Sequence, residues 1–223
     1  MIILKSRQEI EKMRKSNALV AAILEELKKK IRPGVKTIEL DRLSEEMALK
    51  KGARPAFKGY RGYPYSLCTS VNSEVVHGMP SERELKEGDI VSLDFGILND
   101  GYYGDAAVTV PVGEIAPAAK RLLRVTEEAL HRGIAEVRAG NRIGDISAAI
   151  QGHAEAAGFS VVRDLVGHGI GKNLHEDPQV PNYGSSGRGI ELKAGMVFAI
   201  EPMVNEGTYR VDILRDGWTV RTV

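Results

Sequence analysis

The sequence predicts an α+β fold, and three observations support this class. Pairs of amphipathic helical segments alternate with short segments rich in β-branched residues. Two of the latter, residues 90–98 and 102–112, are joined by a turn-forming stretch that contains Asp100-Gly101, which is the pattern of an antiparallel hairpin. The order helix, turn, helix, strands then occurs a second time. Helices combined with antiparallel hairpins are typical of α+β proteins.

The first half of the chain begins with two predicted helices. Ser6 and Glu9 have the spacing of a capping box, and Pro33-Gly34 ends the helix that follows. Its apolar residues recur with a helical period, namely Ile10, Met13, Val20, Leu24, Leu27 and Ile31. Thr37 is predicted to cap a second helix that reaches Lys50. Strands are then predicted over residues 66–77, 90–98 and 102–112.

The second half repeats this order. A helix is predicted from near Pro117 to a break at Gly140, and another from Ile143 to Ala157. The strands predicted after them cover residues 159–166, 196–204 and 208–215.

An internal repeat accounts for the recurrence. Residues 85–94 align with residues 192–201, so that Asp94 corresponds to Glu201. Residues 31–34 align in the same way with residues 137–140. Only two copies are visible, and each is much longer than a solenoid repeat. We therefore expect residues 1–223 to form one domain of two similar halves, at about 1–112 and 113–223.

Composition excludes several classes of protein. The net charge of +1 argues against a dominant nucleic-acid surface, and the start of the chain has neither a signal-peptide pattern nor a long apolar run, which predicts a cytoplasmic protein that does not enter a membrane. Cys68 is the only cysteine, which excludes an intrachain disulfide and a cysteine zinc cluster. We interpret Cys68 as a small buried side chain rather than a nucleophile.

Asp94 and Asp105 lie on the two strands of the predicted hairpin, among apolar neighbours. A turn centred between Asn99 and Asp100 would place the two carboxylates directly opposite each other, whereas a turn on Asp100-Gly101 would place them diagonally on one face. Two carboxylates at such a short distance on a half-buried sheet repel each other unless one is protonated or cations lie between them. Oxygen ligands of this kind suit divalent metals.

Other motifs exclude familiar chemistries. The glycine-rich stretch from Gly167 to Lys172 is not a phosphate loop, because Val166 and Asn173 stand where glycine and Ser or Thr are required. The sequence contains neither a GxSxG elbow nor an HExxH motif. The glycines around His168 are better explained by room for close backbone approach. Of the other histidines, His131 and His153 lie in predicted helices and are interpreted as structural or surface residues, whereas His77 and His175 are placed where they can face a pocket.

Taken together, six motifs resemble type I methionine aminopeptidases over essentially the whole chain. In order these are Val76-His77-Gly78, Leu93-Asp94-Phe95-Gly96, Gly104-Asp105, Gly167-His168-Gly169-Ile170-Gly171, His175-Glu176 and Ile200-Glu201-Pro202. The resemblance implies the "pita-bread" fold, in which a curved antiparallel sheet is flanked by two helix pairs with pseudo-twofold symmetry. This agrees with the internal repeat.

The resemblance also implies roles for these residues. The metal ligands would be Asp94, Asp105, His168 and Glu201, with Asp105 bridging up to two divalent ions. Carboxylate and imidazole ligands accept cobalt, manganese, iron or zinc. A metal-bound hydroxide would attack the first peptide bond of a nascent protein or peptide and release its initiator methionine when the second residue is small. Glu201 would also move protons, His175 would stabilise the oxyanion, and His77 would contact the scissile amide.

The same resemblance implies a slot for the methionine side chain, since sulfur packs well against aromatic edges. Its walls would be Phe57, Tyr60, Tyr63, Cys68, Leu174 and Trp218. The family's nascent-chain substrate further implies that the protein works near the ribosome.

One departure from the family's pattern qualifies this expectation. The family has a fifth ligand, a bridging glutamate, which has no counterpart in the given sequence; Asp212 is the best substitute. Three ligands remain for one metal and two for the other, so we expect one firm and one labile ion, and reduced activity. Two alternatives stay open: a non-catalytic pita-bread module that binds a peptide or protein, and a proline-directed aminopeptidase of the same fold.

Overall fold

The computed structural model describes all 223 residues. Its four helices are α1 (Arg7–Lys28), α2 (Thr37–Lys50), α3 (Pro117–Ala135) and α4 (Ile143–Ala156). The strands are β1 (Arg54–Pro55), β2 (Leu67–Val71), β3 (Glu74–Val76), β4 (Ile90–Asn99), β5 (Tyr102–Pro111), β6 (Ser160–Val161), β7 (Gly167–Gly169), β8 (Glu176–Val180), β9 (Phe198–Ala199), β10 (Val204–Asn205), β11 (Val211–Ile213) and β12 (Val220–Thr222). None of the four helices has the length and apolar character that crossing a membrane requires.

The predicted capping box at the start of α1 is confirmed. The amide of Glu9 donates to Oγ of Ser6 at 3.3 Å, and the amide of Ser6 donates to Oε2 of Glu9 at 2.8 Å. Two backbone donors that the first helical turn leaves free are thereby satisfied. The cap predicted at Thr37 is wrong. Thr37 is the first residue of α2, Lys36 precedes it without a side-chain cap, and the Thr37 hydroxyl donates to the carbonyl of Ser81 at 3.1 Å.

The first half is built on the long hairpin of β4 and β5. One edge of β4 pairs with β5 and the other with β1 and β2, always antiparallel. Helix α1 lies against this sheet so closely that a Cβ at Gly104 would come within 2.8 Å of the backbone of Ser16. Apolar residues of α1, α2 and the strands form one buried cluster, including Val20, Leu27, Leu40, Leu93 and Phe95.

The second half packs α3 and α4 over shorter strands. Its buried cluster includes Ala129, Ile146, Ile150, Val161 and Val180. β7 pairs with both β8 and β9, β6 pairs with β10, and β12 pairs with both β11 and β3, which ties the end of the chain to the first half. The strands are shorter here than predicted: Ser160–Val161 replaces 159–166, and two two-residue strands replace 196–204.

The aligned segments of the two halves make the same backbone bonds. Gly34 donates to the carbonyl of Leu85 at 2.8 Å, and Gly140 donates to that of Leu192 at 3.0 Å. The bridge between Lys36 and Glu84 has its counterpart in the bridge between Arg142 and Glu191. In each half the turn between the helices therefore fixes the segment that leads to Asp94 or to Glu201.

Candidate metal centre

Two carboxylates of the centre come from the β4–β5 hairpin. Gly96 lies opposite Asp105, and Asp94 lies opposite Ala107, so the two aspartates are diagonal neighbours on one face. The turn is formed by Asp100 and Gly101, which both have positive φ, 49° and 79°. The structure thus selects the diagonal arrangement from the two that the sequence left open.

The second half supplies a histidine and a third carboxylate. His168 lies in the middle of β7 and pairs with Ala199 of β9, two residues before Glu201. Nε2 of His168 is 3.2 Å from Oε1 of Glu201 and 3.7 Å from Oδ2 of Asp105. The ligand atoms of Asp105, His168 and Glu201 all lie within 4.8 Å of one another. Strands of both halves therefore converge on one small volume.

The orientation of the His168 ring suits metal binding. Its Nδ1 lies 2.8 Å from the carbonyl oxygen of Gly169, which can only accept a hydrogen bond. In the neutral ring the proton therefore belongs on Nδ1, and Nε2, which is directed towards the carboxylates, is the nitrogen available to a metal. A backbone carbonyl in this role is the usual outer partner of a metal-bound histidine.

Three acidic side chains meet at this position with no lysine or arginine beside them. Burial, followed by the nearby Asp105 and Glu201, raises the pKa of Asp94 well above its ordinary value. Burial and Glu201 raise the pKa of Asp105 to about 7. No lysine or arginine forms an ion pair with any of the three carboxylates, and His168 is their only basic partner. Buried acidic groups of this kind are stabilised by a cation, and the donor set of carboxylates and imidazole fits a divalent metal.

His175 stands beside the centre. Its ring centroid is 4.1 Å from that of His168, and it stacks on Tyr60 with the Tyr60 hydroxyl 2.9 Å from Nδ1. Burial and the neighbouring His168 lower the pKa of His175 to about 4. The ring is therefore neutral at neutral pH.

His77, from the first half of the chain, lies close enough to Glu201 for that carboxylate to affect its pKa. It has φ +58°, a left-handed backbone conformation that is uncommon for histidine, and its ring lies edge-on to Trp218 at 6.4 Å. Burial lowers the pKa of His77, although Glu201 opposes this effect. Like His175, it is a neutral imidazole.

The residues expected to surround a methionine side chain fall into two groups. Tyr63 is buried, packs edge-on against Trp218 at 5.1 Å, and donates from its hydroxyl to the backbone. Cys68 lies directly opposite Asp94 on β2, and burial with the nearby Asp94 raises the pKa of its thiol well above the ordinary range. Phe57, Tyr60 and Leu174 instead belong to an apolar cluster with Met13, Ala56, Tyr102 and Ile170.

Two further observations concern Asn182 and Asp212. Asn182 is completely buried, and its Nδ2 donates to the backbone carbonyl of Glu201 at 2.7 Å. No sequence signal pointed to Asn182. Asp212, the expected substitute for a fifth ligand, is exposed on β11 with its carboxylate 3.7 Å from Arg221. The structure does not bring Asp212 into the centre.

The fold and the site together define a class of protein. The chain matches the model of metallopeptidase family M24 over residues 11–222 and belongs to that family. It has the pita-bread fold.

Similarity to individual members of the family is more informative than the family match alone. The chain is 56% identical to a methionine aminopeptidase from Clostridium perfringens, covering 100% of this chain and 89% of that protein. The crystal structure of methionine aminopeptidase from Thermotoga maritima is 52% identical with a TM-score of 0.98, covering 100% of this chain and 90% of that one. A prolidase from Pyrococcus furiosus is 25% identical with a TM-score of 0.78, covering 90% of this chain but 57% of that one.

Proposed function

We propose that this chain is a metal-dependent methionine aminopeptidase that removes the N-terminal methionine from proteins and peptides with a small second residue. The observation that carries the proposal is the convergence of Asp105, His168 and Glu201 within 4.8 Å, with Asp94 beside them. The identity of 56% to a methionine aminopeptidase supports the substrate class, since the prolidase is only 25% identical.

Asp94, Asp105, His168 and Glu201 would hold up to two divalent ions, with Asp105 shared between them. Manganese, cobalt, iron and zinc all suit these ligands. A metal in this position polarises a carbonyl group and lowers the pKa of water towards neutrality.

His175 would donate a hydrogen bond to the oxygen of the scissile carbonyl. The Tyr60 hydroxyl, 2.9 Å from Nδ1, donates to that nitrogen when the neutral ring carries its proton on Nε2. Nε2 is then a donor for the negative charge that develops on the carbonyl oxygen. With its hydroxyl as the donor, Tyr60 would hold His175 in the tautomer that this role needs.

Glu201 and His77 would act on the other atoms of the peptide bond. The Glu201 side chain is about two-fifths exposed at 39%, whereas that of Asp105 is 10% exposed, so Glu201 is the carboxylate that water and substrate reach. It can take a proton from water and pass it to the departing amine. His77 would contact the scissile amide with its neutral ring.

Tyr63, Trp218 and Cys68 would form the walls around the methionine side chain. The edge-on pair of Tyr63 and Trp218 presents aromatic edges, against which a thioether packs favourably. Phe57 and Leu174 complete the apolar surroundings from the cluster they share with Tyr60.

Methionine release from the peptide Met-Ala-Ser, with manganese or cobalt, tests this function. Release that is lost on chelation and restored by metal supports the proposal. A parallel peptide with lysine in the second position should be cut far more slowly. Cleavage of Xaa-Pro peptides instead of Met-Ala-Ser would identify a proline-directed enzyme. Metal-dependent peptide binding without cleavage would identify a binding module.

The substrate also implies a setting. We infer that the chain acts in the cytoplasm on nascent proteins close to the ribosome, and that residues 1–223 work as one catalytic domain of two halves. Cosedimentation with translating ribosomes tests the first inference. For the second, neither residues 1–112 nor residues 113–223 expressed alone should release methionine, because each carries only part of the ligand set.

A further inference from the structure

A buried ion pair links the start of the chain to the turn that carries His175. Nζ of Lys5 contacts Oε2 of Glu176, and both side chains are almost fully buried, with exposed fractions of 4% and 6%. The other ion pairs of lysine or arginine with acidic side chains have at least one partner more than one-third exposed. Lys5 and Glu176 are 171 positions apart in the sequence.

The two carboxylate oxygens of Glu176 make separate contacts beside His175. Its Oε1 accepts a hydrogen bond from the amide of Asn173 at 3.1 Å, while Oε2 takes the ammonium group of Lys5. At the backbone, Glu176 begins β8 and pairs with Gly169 of β7, next to His168. The carboxylate thus spans the segment from Asn173 to Glu176, inside which His175 lies.

Lys5 is itself held at a fixed place. Its amide donates to the carbonyl of Gly195 at 2.7 Å, and its ammonium group also donates to the carbonyl of Ile3 at 3.3 Å. Gly171 leaves the room for this pair: a Cβ there would lie 2.7 Å from Oε1 of Glu176 and would collide with Cε of Lys5. The last glycine of the Gly167–Gly171 stretch thus borders the pair directly.

A buried ion pair is a poor source of net stability, because desolvation of both charges offsets most of their attraction. It does fix geometry, since the pair is satisfied only in one arrangement. We propose that Lys5, acting through Glu176, is a positioning residue for His175 and holds its ring against Tyr60 and His168 in the orientation that the reaction needs. This inference rests on the proposed function for its kinetic consequence, but not for its structural one.

The test compares Lys5→Met and the double variant Lys5→Met/Glu176→Gln with the wild type. The single variant leaves a buried carboxylate unpaired and can fail to fold, whereas the double variant leaves no buried charge. Lys36→Met is the matched control, because Lys36 pairs with Glu82 at 2.9 Å on the surface, away from His175.

We expect kcat for Met-Ala-Ser to fall about 10- to 100-fold in the double variant, with KM and bound metal nearly unchanged, because a misplaced group mainly affects the transition state. The side-chain ¹H–¹⁵N signals of His175 should move in the metal-free protein, while those of His131 and His153 stay in place. Lys36→Met should match the wild type in both measurements.

A double variant that folds with wild-type kcat and an unmoved His175 signal would overturn the proposal. So would a fall in kcat that only mirrors a smaller folded fraction. If the wild type releases no methionine, the proposed function fails, and the His175 signal alone then decides whether Lys5 positions the ring.

Discussion

The hydroxyl of Tyr60 lies 2.9 Å from Nδ1 of His175, and the two rings stack with centroids 5.3 Å apart. Tyr60 belongs to a short 3₁₀ turn in the first half, whereas His175 lies in the second half between β7 and β8. The contact therefore joins the two halves beside the metal centre. When the hydroxyl donates to Nδ1, the proton of the neutral His175 ring lies on Nε2.

Replacing Tyr60 with phenylalanine should lower kcat for Met-Ala-Ser by about 10-fold or more. The stacked ring would remain, but Nδ1 would lose its partner and both tautomers of His175 would become populated. Steady-state kinetics on the metal-loaded protein measure the effect. Tyr209→Phe is the control, because Tyr209 is exposed and stacks on Arg163 instead. Equal kcat in Tyr60→Phe and wild type would contradict the assigned tautomer.

Replacing Asp105 with alanine should abolish turnover and weaken metal binding by about 100-fold or more, because Asp105 is the ligand that both ions would share. Metal content after dialysis and calorimetric titration with manganese measure the loss. Asp164→Ala serves as a control at an exposed position. Retention of wild-type activity by Asp105→Ala would refute the bridging role.

The two ions should differ in affinity. Asp105, His168 and Glu201 form one compact group of three ligands for the first ion. The second ion would have only Asp94 and Asp105 as protein ligands. A calorimetric titration of the metal-free chain should show one tight equivalent and a second that binds at least about tenfold more weakly. Asp94→Asn should remove the weaker one and keep the tighter. Two equally tight equivalents would exclude this asymmetry.

The Asp105 carboxyl should lower the stability of the metal-free chain as pH rises from about 4 towards 7. The pKa of Asp105 is raised to about 7 in the folded state, so the folded chain keeps a proton that the unfolded chain loses near its ordinary carboxyl pKa. Deprotonation therefore favours the unfolded state across that window, by about 1–3 kcal/mol for this one group.

Urea unfolding at about pH 5 and about pH 7.5 measures the slope. The lowered pKa values of His77 and His175 act in the opposite direction below about 6.5, and the raised pKa values of Asp94 and His168 act in the same direction as that of Asp105. The relevant quantity is therefore the difference between wild type and Asp105→Asn, which includes the effect of Asp105 on these two neighbours. Removing the carboxylate should make stability rise more, or fall less, with pH. An identical slope in both proteins would show that the Asp105 carboxyl is not responsible.

Two glycines should respond oppositely to alanine. At Gly104 a Cβ would come within 2.8 Å of the Ser16 backbone, so Gly104→Ala should cost about 1–3 kcal/mol of unfolding free energy by pushing α1 from the hairpin. At Gly152, within α4, a Cβ would meet nothing within 4 Å, and Gly152→Ala should add up to about 1 kcal/mol. Denaturant titration of both variants measures the difference, and equal stabilities would contradict the close packing of α1.

Local signals predicted the helices well. The Ser6–Glu9 spacing located the start of α1, and Pro117 lies at the start of α3 as expected. The register of the hairpin could not be chosen from the sequence, because the two candidate pairings differ by two residues and keep every side chain on the same face. The positive φ values of Asp100 and Gly101 resolve it in the structure.

Contacts between distant segments were beyond sequence reasoning. His168 and Glu201 could be assigned from the resemblance, but Lys5 occurs in no recognisable motif and meets Glu176 only through the tertiary fold. Thr37 was misassigned for a related reason, since its hydroxyl is taken by the carbonyl of Ser81, 44 positions away. The short strands of the second half likewise depend on pairing that hydrophobic pattern alone does not reveal.

The ligands of the centre come from two separate stretches of chain: Asp94 and Asp105 from one hairpin, and His168 of β7 and Glu201, just after β9, from far downstream. An ion held by Asp105, His168 and Glu201 would act as a removable cross-link between these stretches. Local unfolding of either stretch would require the ion to dissociate. Bound metal should therefore slow proteolysis in both halves at once. The same ligands that organise the reaction would also make resistance to degradation depend on the metal supply of the cell.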